Sequence, residues 1–267
     1  NRAAQFIEWA FEEFPEHAQS IYGVDGRPLT AGERLVQKDL AGSLRLLAEE
    51  GVGAIYGGSL GRAIDDAMQR AGGFLAFEDL VNDRAEWWQP ISIEYRGFEV
   101  ITPSAPAGAF PMLVRLGMMG LEDNRELGHN SVAYLHRFAE VTKHAYWTRL
   151  AYSGDPDVKP PPYDLLLSRE YWVQQNEQID PTIAKVFEPP DVGAEAVNTT
   201  HFVVADRWGN VVSATVTLGN LFGSRIMPEG TGIWLNNSLA YCTFEPKGNP
   251  MDAHPGRRKL SSDSPSF

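Results

Sequence analysis

Cysteine is almost missing from this chain: Cys242 stands alone among 267 residues, so no disulfide can form within it. A reducing compartment would explain that, but so would an exported bacterial protein built without disulfides. Long apolar runs are missing too, since none reaches the roughly 18 residues a membrane-spanning helix needs. Basic residues are outnumbered, 23 against 35 acidic ones, for a net charge of −12. Nucleic acid and anionic membranes are therefore not expected as partners. A small substrate stays open, because a local pocket can be positive on an acidic protein. No low-complexity block and no secretory leader are visible. The chain opens on Asn1 inside a helical pattern and is read as a fragment. A soluble protein, cytoplasmic or exported, is expected, with no choice between the two.

What remains is an ordinary globular composition, 43% hydrophobic and 22% charged, long enough for one large domain or two small ones. Phe6, Ile7, Ala10, Phe11 and Phe14 predict a helix over 3–14 that stops at Pro15. Val24–Pro28 reads as a hairpin tip. Leu40, Leu44 and Leu47 give a helix from Asp39 to Gly51, Ser59 opens another that ends at Gly72-Gly73, and Phe77 begins a shorter one. Ile91–Tyr95 and Phe98–Ile101 flank an Arg96-Gly97 turn as a hairpin. The longest helix is expected from Ser131 to Tyr152, closed by Ser153-Gly154-Asp155-Pro156, with a weak helix over 167–178. From Pro181 to Val197 the period is lost, which reads as a surface loop. Alone, these patterns support α+β, helices first and strands later.

The stretch of greatest interest follows. Phe202–Ala205 is a β-rich arm, Trp208-Gly209-Asn210 a turn, and Val211–Thr217 a return arm. Val211, Ser213, Thr215 and Thr217 share one face of that arm, opposite Val212, Ala214 and Val216. Two threonines, Thr199 and Thr200, stand at the entrance of the first arm. By itself a threonine there is only a good strand former.

Asn198-Thr199-Thr200-His201, Thr217, Phe222-Gly223, Gly230-Thr231-Gly232-Ile233, Leu235-Asn236-Asn237 and Leu260-Ser261-Ser262 before Ser264-Pro265 recur in a telling order. It resembles the γ-glutamyltranspeptidase (glutathione hydrolase) family. Before residue 190 the likeness is weaker, carried by the Tyr95-Arg96-Gly97 hairpin, the Pro103–Gly108 loop and the Ser153–Pro156 helix stop.

The resemblance implies a four-layer αββα sandwich of the N-terminal nucleophile hydrolase type, α+β in class and present here as a fragment. Residues 1–198 would be the C-terminal part of a large subunit and 199–267 the start of a small one, together one structural domain. The precursor would cut itself between Asn198 and Thr199, leaving the products together as a heterodimer. Thr199 would then be nucleophile and base at once, its hydroxyl activated by its own freed amine. Thr217 would hydrogen-bond that hydroxyl. Ser261 and Ser262 would hold the substrate's α-carboxylate through neutral hydrogen bonds. The expected substrate is a γ-glutamyl amide such as glutathione, with water or an amino acid or peptide as acceptor. No cofactor and no metal are implied.

Some positions depart from the family. Two residues after Thr217 the family has an asparagine, whereas here Gly219 stands with Asn220 beside it. After Asn236-Asn237 the family has a Gln or Glu and then an Asp for the substrate's ammonium. Ser238 and Tyr241 occupy those places, and no carboxylate appears between Asn237 and Phe244. Asn220, Ser238 and Tyr241 are therefore the remaining substrate-binding candidates. An acylase of the same family acting on another amide is one alternative, and an uncleaved, non-catalytic relative is another. The family's carboxylate-binding arginine would lie before Asn1 and its oxyanion glycines after Phe267.

Other residues are read as structural. His136 and His144, eight apart on one helix, are too distant for an i, i+4 metal pair. His201 is given no base role, and Cys242 is a small hydrophobe. Trp87-Trp88 is expected to pack in a core or against a helix. Arg257-Arg258-Lys259 is expected to be a solvated loop that could raise the potential near Ser261.

Overall fold

The structure, a computed structural model, describes residues 2–188, 198–244, 247–259, 261 and 263–267. Two compact units emerge, Asn1–Glu86 with Asn220–Asn236, and Trp87–Gly219 with Asn237–Phe267.

In the first unit, the amphipathic stripe of Phe6, Ile7 and Ala10 lies on α1 (Arg2–Glu13). That helix stops short of Pro15, as expected, yet Pro15 itself opens another. It occupies the first turn of α2 (Pro15–Tyr22), where its missing N–H would have had no helical partner. Gly23–Val24 (β1) and Arg27–Pro28 (β2) form a tight hairpin. Then come α3 (Lys38–Glu50), stopped by Gly51 at φ 70°, α4 (Ser59–Arg70) and α5 (Phe77–Asn82). Ala10 and Ala18 are fully buried under a ring cluster of Trp9, Phe14, Phe222 and Trp234, whose Nε1 donates to Tyr22 Oη at 3.0 Å. Edge-on ring pairs of this kind add about 0.5–1.5 kcal/mol each beyond their burial.

The second unit begins with an antiparallel hairpin, β3 (Ile91–Tyr95) and β4 (Phe98–Thr102). Its turn residues Arg96 and Gly97 both have positive φ, 54° and 84°, the conformation that suits a two-residue connection. Helix α6 (Phe110–Gly120) follows, then α7 (Val132–Tyr152), capped by the Ser131 hydroxyl accepting the Tyr134 amide at 3.1 Å. A short helix, α8 (Tyr163–Leu166), precedes α9 (Arg169–Asn176), which is the weak helix expected over 167–178. The Ser168 hydroxyl caps the second at Tyr171, which divides them. Phe110, Val114, Met118, Val141, Ala145 and Leu166 make the core. Each large side chain so buried contributes about 1.5–3 kcal/mol.

One face of α7 also grips the chain that leads toward Asn198. Glu140 accepts the Lys185 amide at 3.1 Å and the Lys143 ammonium at 2.6 Å, while Lys143 donates to the Lys185 carbonyl at 2.9 Å. Phe187 then packs edge-on against His144. Residues 189–197, the end of the expected surface loop, lie outside the described residues.

Last come β5 (Asn198–Ala205) and β6 (Val211–Gly219), an antiparallel ribbon. Asp206 closes its turn by accepting the Trp208 and Asn210 amides, each at 2.9 Å. Among the described residues no helix is long and apolar enough to cross a membrane.

Candidate active site

The β5–β6 ribbon carries the candidate site. Partners run in step from Ala205–Val211 to Thr200–Val216, but Asn198 then pairs with Gly219. Two steps on one strand thus face three on the other. Such a bulge re-aims a side chain, and the one it re-aims is Thr199. The Thr199 hydroxyl donates to Thr217 Oγ1 at 3.2 Å, and the same oxygen accepts the Gly219 amide at 3.0 Å. Thr199 is exposed and Thr217 half-buried. An incoming carbonyl can therefore reach the first hydroxyl, while the second is held from behind.

One step along that face, His201 Nδ1 and Thr215 Oγ1 are 2.9 Å apart. The imidazole is tied to its cross-strand neighbour.

Gly219 is buried at φ 91°. A Cβ there would overlap the Asn237 side-chain oxygen and stand 3.6 Å from the Tyr241 hydroxyl. Asn237 is fixed by its own amide, which donates to the Leu218 carbonyl at 2.9 Å. Ser238 and Tyr241 bound a single 3-10 turn and are both buried. Asn220 belongs to the first unit, where its carbonyl accepts the Gly223 amide at 2.8 Å. The side chain of Asn198 and the whole of Ser262 lie outside the described residues.

Ser261 is held by its amide, which donates to the Pro106 carbonyl at 3.3 Å, and by a parallel bridge to Ala107. Its hydroxyl donates to Asp263 Oδ2 at 2.7 Å and accepts the Asp263 amide at 3.1 Å.

The basic run ahead of it is not the solvated loop expected. Arg257 pairs with Asp252. The Arg258 amide and guanidinium reach Asp155 at 2.7 and 3.3 Å, and the guanidinium also reaches Asp157. Burial alone would raise the Asp155 carboxyl, but the Arg258 and Asp157 amides and the Arg258 charge outweigh it and hold it below the usual range. Lys259 lies with its ammonium 5.5 Å from the centre of the Tyr241 ring. Trp87, expected to pack, is fully exposed, and Trp88 lies beneath the Arg258 guanidinium.

His144 is buried, with Nδ1 against Gln175 Oε1 at 3.1 Å, and His136 contacts the Asp180 carbonyl. Among the described residues no His, Cys, Asp and Glu cluster could hold a metal ion. Lys259, Asp263 and Asn237 are the neighbours that reading by residue did not select. A lysine directly before a Leu-Ser-Ser motif and an aspartate just after it were the available signals.

The sequence profile of the family described as gamma-glutamyltranspeptidase matches residues 1–267. The Acylase ACY 1 proenzyme of Pseudomonas sp. (strain SE83) is 38% identical over 242 residues, 90% of this chain and 43% of its own length. The glutathione hydrolase proenzyme of Escherichia coli (strain K12) is 34% identical over 266 residues, 94% of this chain and 46% of its own. Among solved structures, the cephalosporin acylase from Bacillus halodurans superposes with a TM-score of 0.83 at 25% identity, over 100% of this chain and 49% of that one. The chain thus spans about half the length of the relatives it matches. These neighbours are N-terminal nucleophile hydrolases, so the α+β fold class implied by the motifs is the fold found. A profile match that starts at the first residue and runs to the last leaves no stretch outside it: the chain belongs to the γ-glutamyltranspeptidase family.

Proposed function

We propose that this chain carries the nucleophile of a self-processing N-terminal-threonine amidohydrolase or acyltransferase acting on γ-glutamyl amides such as glutathione. The observation behind the reading is the Thr199–Thr217 hydroxyl pair at 3.2 Å, set on a bulge and open to solvent.

In the precursor, Thr199 Oγ1 attacks the Asn198 carbonyl carbon. The C–O bond forms, the C–N bond breaks, and the hydroxyl proton passes to the departing nitrogen. Water then splits the ester, leaving a carboxylate on Asn198 and a free amine on Thr199. An α-amine has an ordinary pKa of about 7.7–8.0, near the operating pH of a general base. It takes the Thr199 proton as the oxygen attacks the substrate's amide carbon. The tetrahedral intermediate expels the amine, which leaves with that proton. Water or an acceptor amine then removes the acyl group from Thr199. Thr217 keeps the attacking hydroxyl in one orientation throughout, and Gly219 keeps Thr217 in place.

Intact mass and Edman sequencing test the reading: a product opening on Thr-Thr is required, and Thr199→Ala must abolish both self-cleavage and turnover of a γ-glutamyl anilide.

A second reading, an acylase for another amide, has its own observation. Ser238 and Tyr241 are buried where the resemblance implies polar and acidic residues, and the Tyr241 hydroxyl stands 3.6 Å from the Cβ position of Gly219. One lost charge-assisted hydrogen bond is worth about 1.5–3 kcal/mol, or roughly 10–100-fold in affinity. Clean self-cleavage without γ-glutamyl turnover would favour that reading.

A further inference from the structure

We propose that Lys259 and Asp263 together recognise a zwitterionic acyl head group, Asp263 taking its ammonium and Lys259 its carboxylate. The proposal deepens the function proposed above and rests on it.

Lys259 is a half-buried cation in want of an anion. Its ammonium faces the Tyr241 ring at 5.5 Å, and among the described residues it has neither a hydrogen bond nor an ion pair. A ring face offsets part of the cost of desolvating an ammonium, not all of it. Burial pulls Lys259 below its ordinary range, with the Asp263 charge opposing that shift.

Tyr241 links this cation to the nucleophile. Its hydroxyl stands 3.6 Å from the Cβ position of Gly219, whose amide is bound to Thr217, which is bound to Thr199. All of these residues lie in the second unit.

Asp263 is the matching anion. Its Oδ2 accepts the Ser261 hydroxyl at 2.7 Å, and Oδ1 accepts no hydrogen bond among the described residues. Since the Ser261 proton is committed to Asp263, a substrate carboxylate must find its donor elsewhere, and Lys259 is at hand. Asp263 also supplies a charge that the Ser238–Tyr241 turn lacks. Only Leu260, Ser261 and Ser262 separate the two in sequence, and they form no ion pair. A cation and an anion held apart in one half-buried patch are the complement of a zwitterion, which would bridge them by two charge-assisted hydrogen bonds.

The test uses the whole natural reading frame that contains this chain, with self-cleavage confirmed by mass. KM and kcat are measured for γ-L-glutamyl-p-nitroanilide and for glutaryl-p-nitroanilide, which has the same carbon chain but no ammonium. Asp263→Asn should raise KM for the γ-glutamyl substrate by about tenfold or more and leave that for the glutaryl substrate within about threefold. Lys259→Met should raise both by about tenfold, and Lys259→Arg should restore most of the loss. With the unaltered protein alone, L-glutamate should inhibit at least about tenfold more strongly than glutarate, a measurement that needs no variant to fold. Equal inhibition by the two, or an Asp263→Asn effect of the same size on both substrates, would overturn the proposal. Turnover that survives Thr199→Ala would instead remove the nucleophile reading beneath it.

Discussion

Asn237 occupies the space that a side chain on Gly219 would need. Its side-chain oxygen lies within bonding overlap of the Cβ position, and the glycine backbone is at φ 91° besides. Both facts bear on the Thr217 hydroxyl, which the Gly219 amide holds at 3.0 Å. Gly219→Ala should therefore destabilise the fold by about 1–3 kcal/mol through backbone strain alone. Self-cleavage should slow with it. Urea denaturation and a time course of precursor mass measure the two effects.

Thr217→Val keeps the shape of the side chain and removes its oxygen. The Thr199 hydroxyl then has no acceptor at 3.2 Å and can turn away from the attacking geometry. A loss of about 2–10-fold in kcat is expected, with KM little changed, because one neutral hydrogen bond is worth about 0.5–1.5 kcal/mol. Thr217→Ser should recover most of it.

If the freed Thr199 amine is the base, turnover must depend on its deprotonated form. The acid limb of the kcat/KM profile should then show a pKa of about 7.7–8.0, the range of an ordinary α-amine. A limb centred near the ordinary histidine value of about 6.5 would assign the base elsewhere.

Asp155, buried at 4% exposure, anchors Arg258 across 103 residues. Its carboxyl is held below the usual range in the folded state. The stabilisation is therefore complete above the unfolded value of about 3.9 and is lost as pH falls through the lower, folded value. Asp155→Asn should cost about 1.5–3 kcal/mol at neutral pH. The gap from the unaltered protein should narrow below about pH 4, as chemical denaturation at several pH values will register.

Glu140 and Lys143 hold both backbone groups of Lys185, one its amide and the other its carbonyl. Glu140→Ala removes the buried acceptor and should cost about 1–3 kcal/mol. It should also open residues 181–188 to limited proteolysis, where mass mapping will find new cuts. Glu140→Gln retains an acceptor and should protect that segment better.

Helices with a clear apolar stripe were legible within a residue or two, as Leu40, Leu44 and Leu47 on α3 demonstrate. Pro15 was not, because a proline that ends one helix is equally suited to the first turn of the next. Helix α6 buries Phe110, Leu113, Val114, Gly117 and Met118 on one face, but Met112 and Leu116 make its other faces apolar too, so no stripe stands out in the sequence. Thr199 and Thr217 were legible from motif order, and strand alternation places them on one face. Lys259 and its neighbours were hidden, because a run of three basic residues is ordinarily solvated. Asp155 and Asp157, the carboxylate partners of Arg258, stand 103 and 101 residues away in the chain, and no local pattern announces that.

Strand alternation makes the two adjacent threonines unequal. Thr200 sits opposite Val216, on the reverse side of the ribbon from Thr217. A cut one position too late would thus yield a terminus with identical chemistry aimed at the wrong surface. Under the proposed self-cleavage, fidelity would be enforced by geometry: of two successive β-hydroxy residues, the ribbon can put only one to work.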